Sequence, residues 1–236
     1  MMTSSNKAQV LERVRDLSHN DVNCLNEKMK IYAKWSTYDE DVDMLAYSAD
    51  RHGVVALTNA VDTDSVLTRA CSIVDFAAGT GRVGKKLREA NFTGPIDAVD
   101  GCKEFLQKGQ HNYRRTFCVI IKIDADLPAE LRSGTYDAAI MCGAMSATQV
   151  EVNCLSLILA AIRVGGIAVF TTRTNQSNRD YARHLETAVH NRVSKGEIGL
   201  VFVRTVDEFE LATSSEEASK DSKYIAGIIY CVKKLS

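Results

Sequence analysis

Apolar residues recur at helical spacing through the first fifty positions. Over 7–17, Val10, Leu11, Val14 and Leu17 share one face; over 22–32, Val22, Leu25, Met29 and Tyr32 do the same; over 39–47, Val42, Leu45 and Ala46 form a third. Beyond them the period changes. Short apolar runs at 73–77, 96–99, 117–123, 138–142 and 167–171 alternate with amphipathic stretches at 83–90, 104–110, 128–131 and 149–164. Strands separated by helices pair in parallel through right-handed crossovers, with helices on both faces of the sheet. The C-terminal end breaks this alternation. After a polar helix over 178–194, strand-like segments at 200–211 and 224–232 are joined by T-S-S-E-E-A-S-K-D-S-K, a polar connection without hydrophobic period. Two strands so joined pair antiparallel as a hairpin. The pattern predicts one doubly wound α/β domain, with a helical cap over 1–65 and the sheet, ending in the hairpin, over 66–236.

Composition narrows the classes. The chain has 236 residues, 45% hydrophobic and 25% charged, with 29 basic and 30 acidic side chains. At roughly 100–200 residues per domain this is ample for one sizeable core. No stretch reaches the roughly 18 apolar residues of a membrane span, and the first twenty residues are polar and charged, so neither a membrane nor a secretory segment is expected. The near-neutral balance argues against nucleic acid as the main partner. The expectation is a monomer in the cytoplasm or nucleus.

Seven cysteines stand singly, with no C-x-x-C pair and no His/Cys cluster at metal-ligand spacing. They read as buried thiols, without a disulfide framework or a metal site. His52, His184 and His190 have no acid or serine partner at motif spacing, so a nucleophilic triad finds no support.

The most informative stretch runs Ile73-Val74-Asp75-Phe76-Ala77-Ala78-Gly79-Thr80-Gly81-Arg82-Val83-Gly84. A buried strand ends in a glycine-rich turn that opens a helix, so backbone can approach a ligand at the carboxyl edge of the sheet. Gly79-x-Gly81-x-x-Gly84 matches the dinucleotide fingerprint, and Asp100 follows Gly81 by 19 residues, where a ribose-binding acid falls. That fingerprint alone is weak. Asp75, four residues before Gly79, shifts the balance, because a carboxylate there repels a pyrophosphate and attracts a cationic amine or sulfonium.

V-D-F-A-A-G-T-G resembles the first motif of class I S-adenosylmethionine-dependent methyltransferases. Ala77 stands where the motif usually has its first glycine, a substitution compatible with a negative φ. The resemblance implies a cofactor site built from Asp75, Phe76, Ala77, Gly79 and Gly81. It gives Asp100, with Gly101, the ribose hydroxyls, and Asp124 the adenine amino group, with the Ala125 backbone at the ring. Asp137 fits the fourth-strand motif, with Cys142 and Gly143 at its carboxyl end, and Val164-Gly165-Gly166 precedes the fifth strand. I-Y-A-K-W-S-T-Y-D-E-D-V, T-T-R-T-N-Q-S-N-R-D-Y, D-E-F-E-L-A-T-S and I-A-G-I-I-Y together resemble the methyltransferase-like family named after the Williams–Beuren syndrome critical region, over roughly residues 30–233. This resemblance implies a Rossmann-like, mostly parallel seven-stranded sheet whose last hairpin is the one above. It also implies S-adenosyl-L-methionine as cofactor and S-adenosyl-L-homocysteine as product. It supplies no acceptor.

Tyr32, Trp35 and Tyr38 read either as an aromatic stripe docking a helix or as a lid whose rings border the sulfonium. Loops at 142–148, 173–177 and 213–223 fall on the ligand edge. On or beside them, Arg173, Asn175 and Tyr181 are candidates for orienting an acceptor; the Arg173 fork suits an anion or else closes a structural salt bridge. The expected activity is methyl transfer to an oxygen, nitrogen or carbon nucleophile of a small molecule, with no metal and no catalytic residue assigned. A nicotinamide-dependent oxidoreductase and a non-catalytic S-adenosylmethionine-binding protein acting through a partner are the alternatives.

Overall fold

Strands β1 (Ile73–Phe76) and β2 (Ile96–Asp100) are buried at every position, as expected of strands covered on both faces. They lie in a computed structural model that describes residues 4–18 and 24–236. Val22, read as part of the second helical face, lies outside the described residues. The remaining strands are β3 (Arg115–Cys118), β4 (Tyr136–Met141), β5 (Ile162–Arg173), β6 (Ile198–Leu211) and β7 (Tyr224–Lys234). They form one seven-stranded sheet in the order β3-β2-β1-β4-β5-β7-β6. The first five in sequence pair in parallel, and β7 pairs antiparallel with both β5 and β6. The doubly wound sheet and its terminal hairpin are as predicted.

Helices cover both faces. On one, α7 (Ala129–Arg132), α8 (Leu155–Ala161) and α9 (Arg179–Ser194) bury Leu131, Ile158 and Leu185 against Phe76, Val99 and Phe170. On the other, α4 (Ala49–Thr63) and α5 (Arg82–Glu89) bury Leu57, Val61, Val83 and Leu87 against Ile73, Ile140 and Val169. The short α6 (Lys103–Gly109) follows β2. Helices α1 (Ser4–Ser18), α2 (Leu25–Lys34) and α3 (Tyr38–Met44) form the cap, where Val10, Val14, Trp35 and Leu45 pack with Leu211 of β6. Among the described residues no helix is long and apolar enough to cross a membrane.

Four elements differ from the sequence prediction. Helix α4 was not anticipated: Gly53 and the β-branched Val54, Val55, Thr58 and Val61 weaken its local signal, and packing on the sheet decides its state. It also lies before the boundary drawn at residue 65, yet it is a layer of the sheet domain. Strand β3 stops at Cys118 because the apolar run beyond it lines a cavity instead of the sheet. The helix expected over 149–164 is confined to Leu155–Ala161. Val164-Gly165-Gly166 stands inside β5, not before it, at an irregularity where Tyr136 pairs with Ile162 and Ala138 with Ile167.

Candidate functional site

Where β1 ends, the backbone makes three left-handed turns, at Ala77 (φ 55°), Gly79 (φ 55°) and Gly81 (φ 85°), before α5 begins at Arg82. The negative φ expected at Ala77 is not found. An L-residue there costs about 1–2 kcal/mol, and the surrounding loop holds it. At Gly79 a side chain would meet no atom within 4 Å, so this stretch of backbone faces open space in the cavity. Gly81 instead presses on the backbone of Gly109.

Asp100, the last residue of β2, fixes the loop from the neighbouring strand. Its Oδ2 accepts a 2.8 Å hydrogen bond from the Gly79 amide, and its Oδ1 accepts one of 2.7 Å from the Cys102 amide. Burial raises its pKa above the ordinary carboxylate range, against the opposing effect of these backbone donors.

These groups open into a cavity between the cap and the carboxyl edge of the sheet. On the β1–β2 side it is lined by Ala77, Gly79, Asp100, Gly101, Phe105 and Ile120. Gly101 lets Met29 and Ile120 close on the backbone; a Cβ there would lie 2.8 and 2.9 Å from them. On the β5–β6 side the wall includes Lys28, Tyr47, Cys142, Gly143, Arg173 and Glu210. The Tyr47 hydroxyl occupies the place a Gly143 side chain would take, and the Cys142 thiol does the same at Gly53 of α4.

The cap roofs this cavity with rings. Tyr32 stacks on Phe105 at 5.6 Å, Tyr38 lies 4.7 Å from Phe105, and Trp35 meets Tyr38 edge-on at 5.1 Å. Trp35 donates to Asp41 at 2.7 Å, and Thr37 and Arg13 donate to the same carboxylate. Burial opposes ionisation of Asp41, but those donors outweigh it and hold its pKa below the usual value. Polar contacts tie the roof to the loop. Thr80 donates to Asp39 at 2.6 Å, and Arg82 bridges Asp43 of α3 (2.7 Å) and Asp50 of α4 (3.0 Å).

Of the residues singled out in the sequence, Tyr32, Trp35, Tyr38, Ala77, Gly79, Asp100, Gly101, Cys142 and Arg173 line this one cavity. The others lie elsewhere. Asp75 is fully buried beneath the loop, where the Tyr113 hydroxyl donates to its Oδ2 at 2.7 Å and its Oδ1 has no hydrogen bond among the described residues. Burial pushes its pKa up to about 8, opposed by Tyr113. Phe76 is core. Asp124 is exposed and pairs with Lys122 at 3.3 Å, and Ala125 packs on the core, so neither reaches the cavity. The apolar residues after β3 that reach it are Ile120 and Ile121. Asp137 sits at the opposite edge of the sheet, bonded to Ser72 and Arg163. Asn175 donates to Ser177 and Glu217. Tyr181 donates to the Val150 carbonyl at 2.6 Å and lines a separate surface groove.

Lys28, Tyr47 and Glu210 were missed. For Glu210 the signal was available: an acid between Phe209 and Leu211 in a strand. Lys28 is 1% exposed and donates to the Thr148 carbonyl and hydroxyl at 3.2 and 2.9 Å; burial lowers its pKa to about 8, aided by the nearby Arg173.

No family model matches the chain. Over 169 residues it is 34% identical to methyltransferase-like protein 27 of Homo sapiens; the match spans 70% of this chain and 65% of the relative, so less than two thirds of that protein's length is covered. In fold it is similar to the Burkholderia thailandensis 1,6-didemethyltoxoflavin-N1-methyltransferase, solved with 1,6-didemethyltoxoflavin and S-adenosylhomocysteine. There the TM-score is 0.58 at 15% identity, covering 100% of this chain and 92% of that one. It is also similar to a geranyl diphosphate methyltransferase solved with GPP and sinefungin, with a TM-score of 0.53 at 15% identity, covering 77% and 78%. The glycine loop, the acid at the end of β2 and the strand order agree with these likenesses on the fold: the chain shares the seven-stranded α/β fold of those methyltransferase structures.

Proposed function

We propose that the protein is an S-adenosylmethionine-dependent methyltransferase acting on a small molecule. The observation that carries this reading is the pairing of Asp100 with the Gly79 amide at the wall of a cavity roofed by aromatic rings. The residues present fit the cofactor. Gly79 leaves room for a ligand against its backbone, Asp100 offers a buried carboxylate to the ribose hydroxyls, and Met29, Phe105 and Ile120 beside Gly101 form an apolar slot for a flat base. When bound, the cofactor supplies a methyl group already activated by its sulfonium. The task of the chain is then to hold the acceptor in line and exclude water, which the cap bonded down over the site favours. The aromatic roof over the cavity likewise supports a small acceptor.

Calorimetry with S-adenosylhomocysteine, NADH and NADPH tests the reading. The homocysteine product is expected to bind and the dinucleotides are not; the reverse pattern overturns the proposal in favour of an oxidoreductase. Asp100→Ala is expected to cost at least tenfold in affinity, because two hydrogen bonds to a charged group are each worth about 1.5–3 kcal/mol.

A further inference from the structure

Glu210 is the acidic side chain on the β5–β6 wall of the cavity. Between Val206 and Glu210 the pairing with β7 slips: Val206 pairs with Gly227, and Glu210 with Ile225. The extra residues bulge the strand, and bulges re-aim side chains. Glu210 is thereby 93% buried; its Oε1 makes no hydrogen bond among the described residues and is held instead by a 3.5 Å ion pair with Arg173 Nη1, the salt bridge open to that residue in the sequence, which leaves the oxygen free to accept from a ligand. A buried carboxylate oxygen in this condition calls for a donor from a ligand. Burial also raises the Glu210 pKa above its usual value, with Arg173 acting in the opposite sense and Glu217 adding to the rise.

The surroundings restrict that donor. Two cations, the buried Lys28 and the partly buried Arg173, line the same cavity, so a protonated amine is repelled while an anion formed in place is held. Trp35, Tyr38 and Tyr47 offer ring faces, which suit a flat acceptor. An aromatic hydroxyl fits each condition: it is planar, it donates, and with a pKa of about 10 in water it keeps its proton at neutral pH until a base removes it.

We propose that Glu210 is the general base for methylation of a small phenol, with Arg173 holding the phenolate oxygen. This rests on the methyltransferase reading above. The acceptor gives its hydroxyl proton to Oε1 of Glu210 and keeps the O–H electron pair. That oxygen forms the bond to the methyl carbon as the methyl–sulfur bond breaks, with its pair left on sulfur. Glu210 later loses the proton to water.

The test uses the full chain saturated with S-adenosylhomocysteine and 4-nitrophenol as probe, at a pH where the free probe is neutral. Bound to the wild type, 4-nitrophenol is expected to develop its phenolate absorption band. Glu210→Gln, which keeps the side chain's size, is expected to lose the band while holding its affinity for S-adenosylhomocysteine within about twofold of the wild type, which also certifies its fold. Glu210→Asp is expected to retain part of the band. The proposal is overturned if S-adenosylhomocysteine binds but 4-nitrophenol does not, or if the band survives in Glu210→Gln. A wild type that binds no S-adenosylhomocysteine overturns the methyltransferase reading, and this proposal with it.

Discussion

Tyr113 and Asp75 meet beneath the glycine loop: the phenol donates to the carboxylate at 2.7 Å and accepts from the Gly84 amide at 3.2 Å. One hydroxyl thus joins the end of β1 to the first turn of α5. Tyr113→Phe leaves Asp75 without a hydrogen bond and is expected to cost about 1–3 kcal/mol. Urea unfolding of the two proteins measures it.

The same acid gives a pH dependence of defined sign. Its folded pKa, about 8, lies above the unfolded value near 4. As pH rises from about 4 to about 8 the unfolded chain ionises at this position and the folded chain does not, so stability falls, by at most about 1.4 kcal/mol per pH unit. Asp75→Asn removes this term. The stability of the wild type relative to that variant should therefore decline between pH 5 and pH 8; a difference that stays flat contradicts a buried neutral carboxyl.

Gly53 and Cys142 are predicted to be coupled. A methyl group on Gly53 runs into the Cys142 sulfur, so Gly53→Ala should destabilise by about 1–3 kcal/mol. In the Cys142→Ala background most of that cost should disappear, giving a coupling energy above about 1 kcal/mol in a double-mutant cycle. Simple additivity of the two substitutions refutes the contact.

Ala77 occupies a backbone region that β-branched residues scarcely enter. Ala77→Val is expected to be about 1–3 kcal/mol less stable than Ala77→Gly. Thermal unfolding compares the two directly.

Arg82 holds α3 to α4 and α5 through Asp43 and the buried Asp50. Arg82→Ala leaves the Asp50 carboxylate with the Arg51 amide and a longer, 3.7 Å ion pair to Lys86 and is expected to cost about 1–3 kcal/mol. Amide exchange over residues 38–44 should speed up more than exchange in β1, and Arg82→Lys should recover only part, because an ammonium cannot serve as a fork.

The sheet was readable because its strands are covered on both faces and its connections are helical, so apolar runs and amphipathic runs alternate. The cofactor edge was readable for a related reason: Gly79 and Asp100 follow directly from where β1 and β2 end. Periodicity misled at Ile120 and Ile121, where hydrophobicity serves a cavity wall, and it was silent at α4, whose helix depends on what it packs against. Glu210 could have been singled out as an acid between Phe209 and Leu211 in a strand, but where it, Lys28 and Tyr47 point is determined by the bulge in β6 and the docking of the cap. No local pattern encodes either.

The bulge between Val206 and Glu210 lies more than a hundred residues along the chain from the glycine loop, yet both line one cavity. The two walls can therefore be varied separately. Substitutions at Tyr47, Arg173 and Glu210 would alter the β5–β6 wall while leaving Gly79, Asp100 and Gly101 as they are, so those are the positions to vary when a new acceptor is sought.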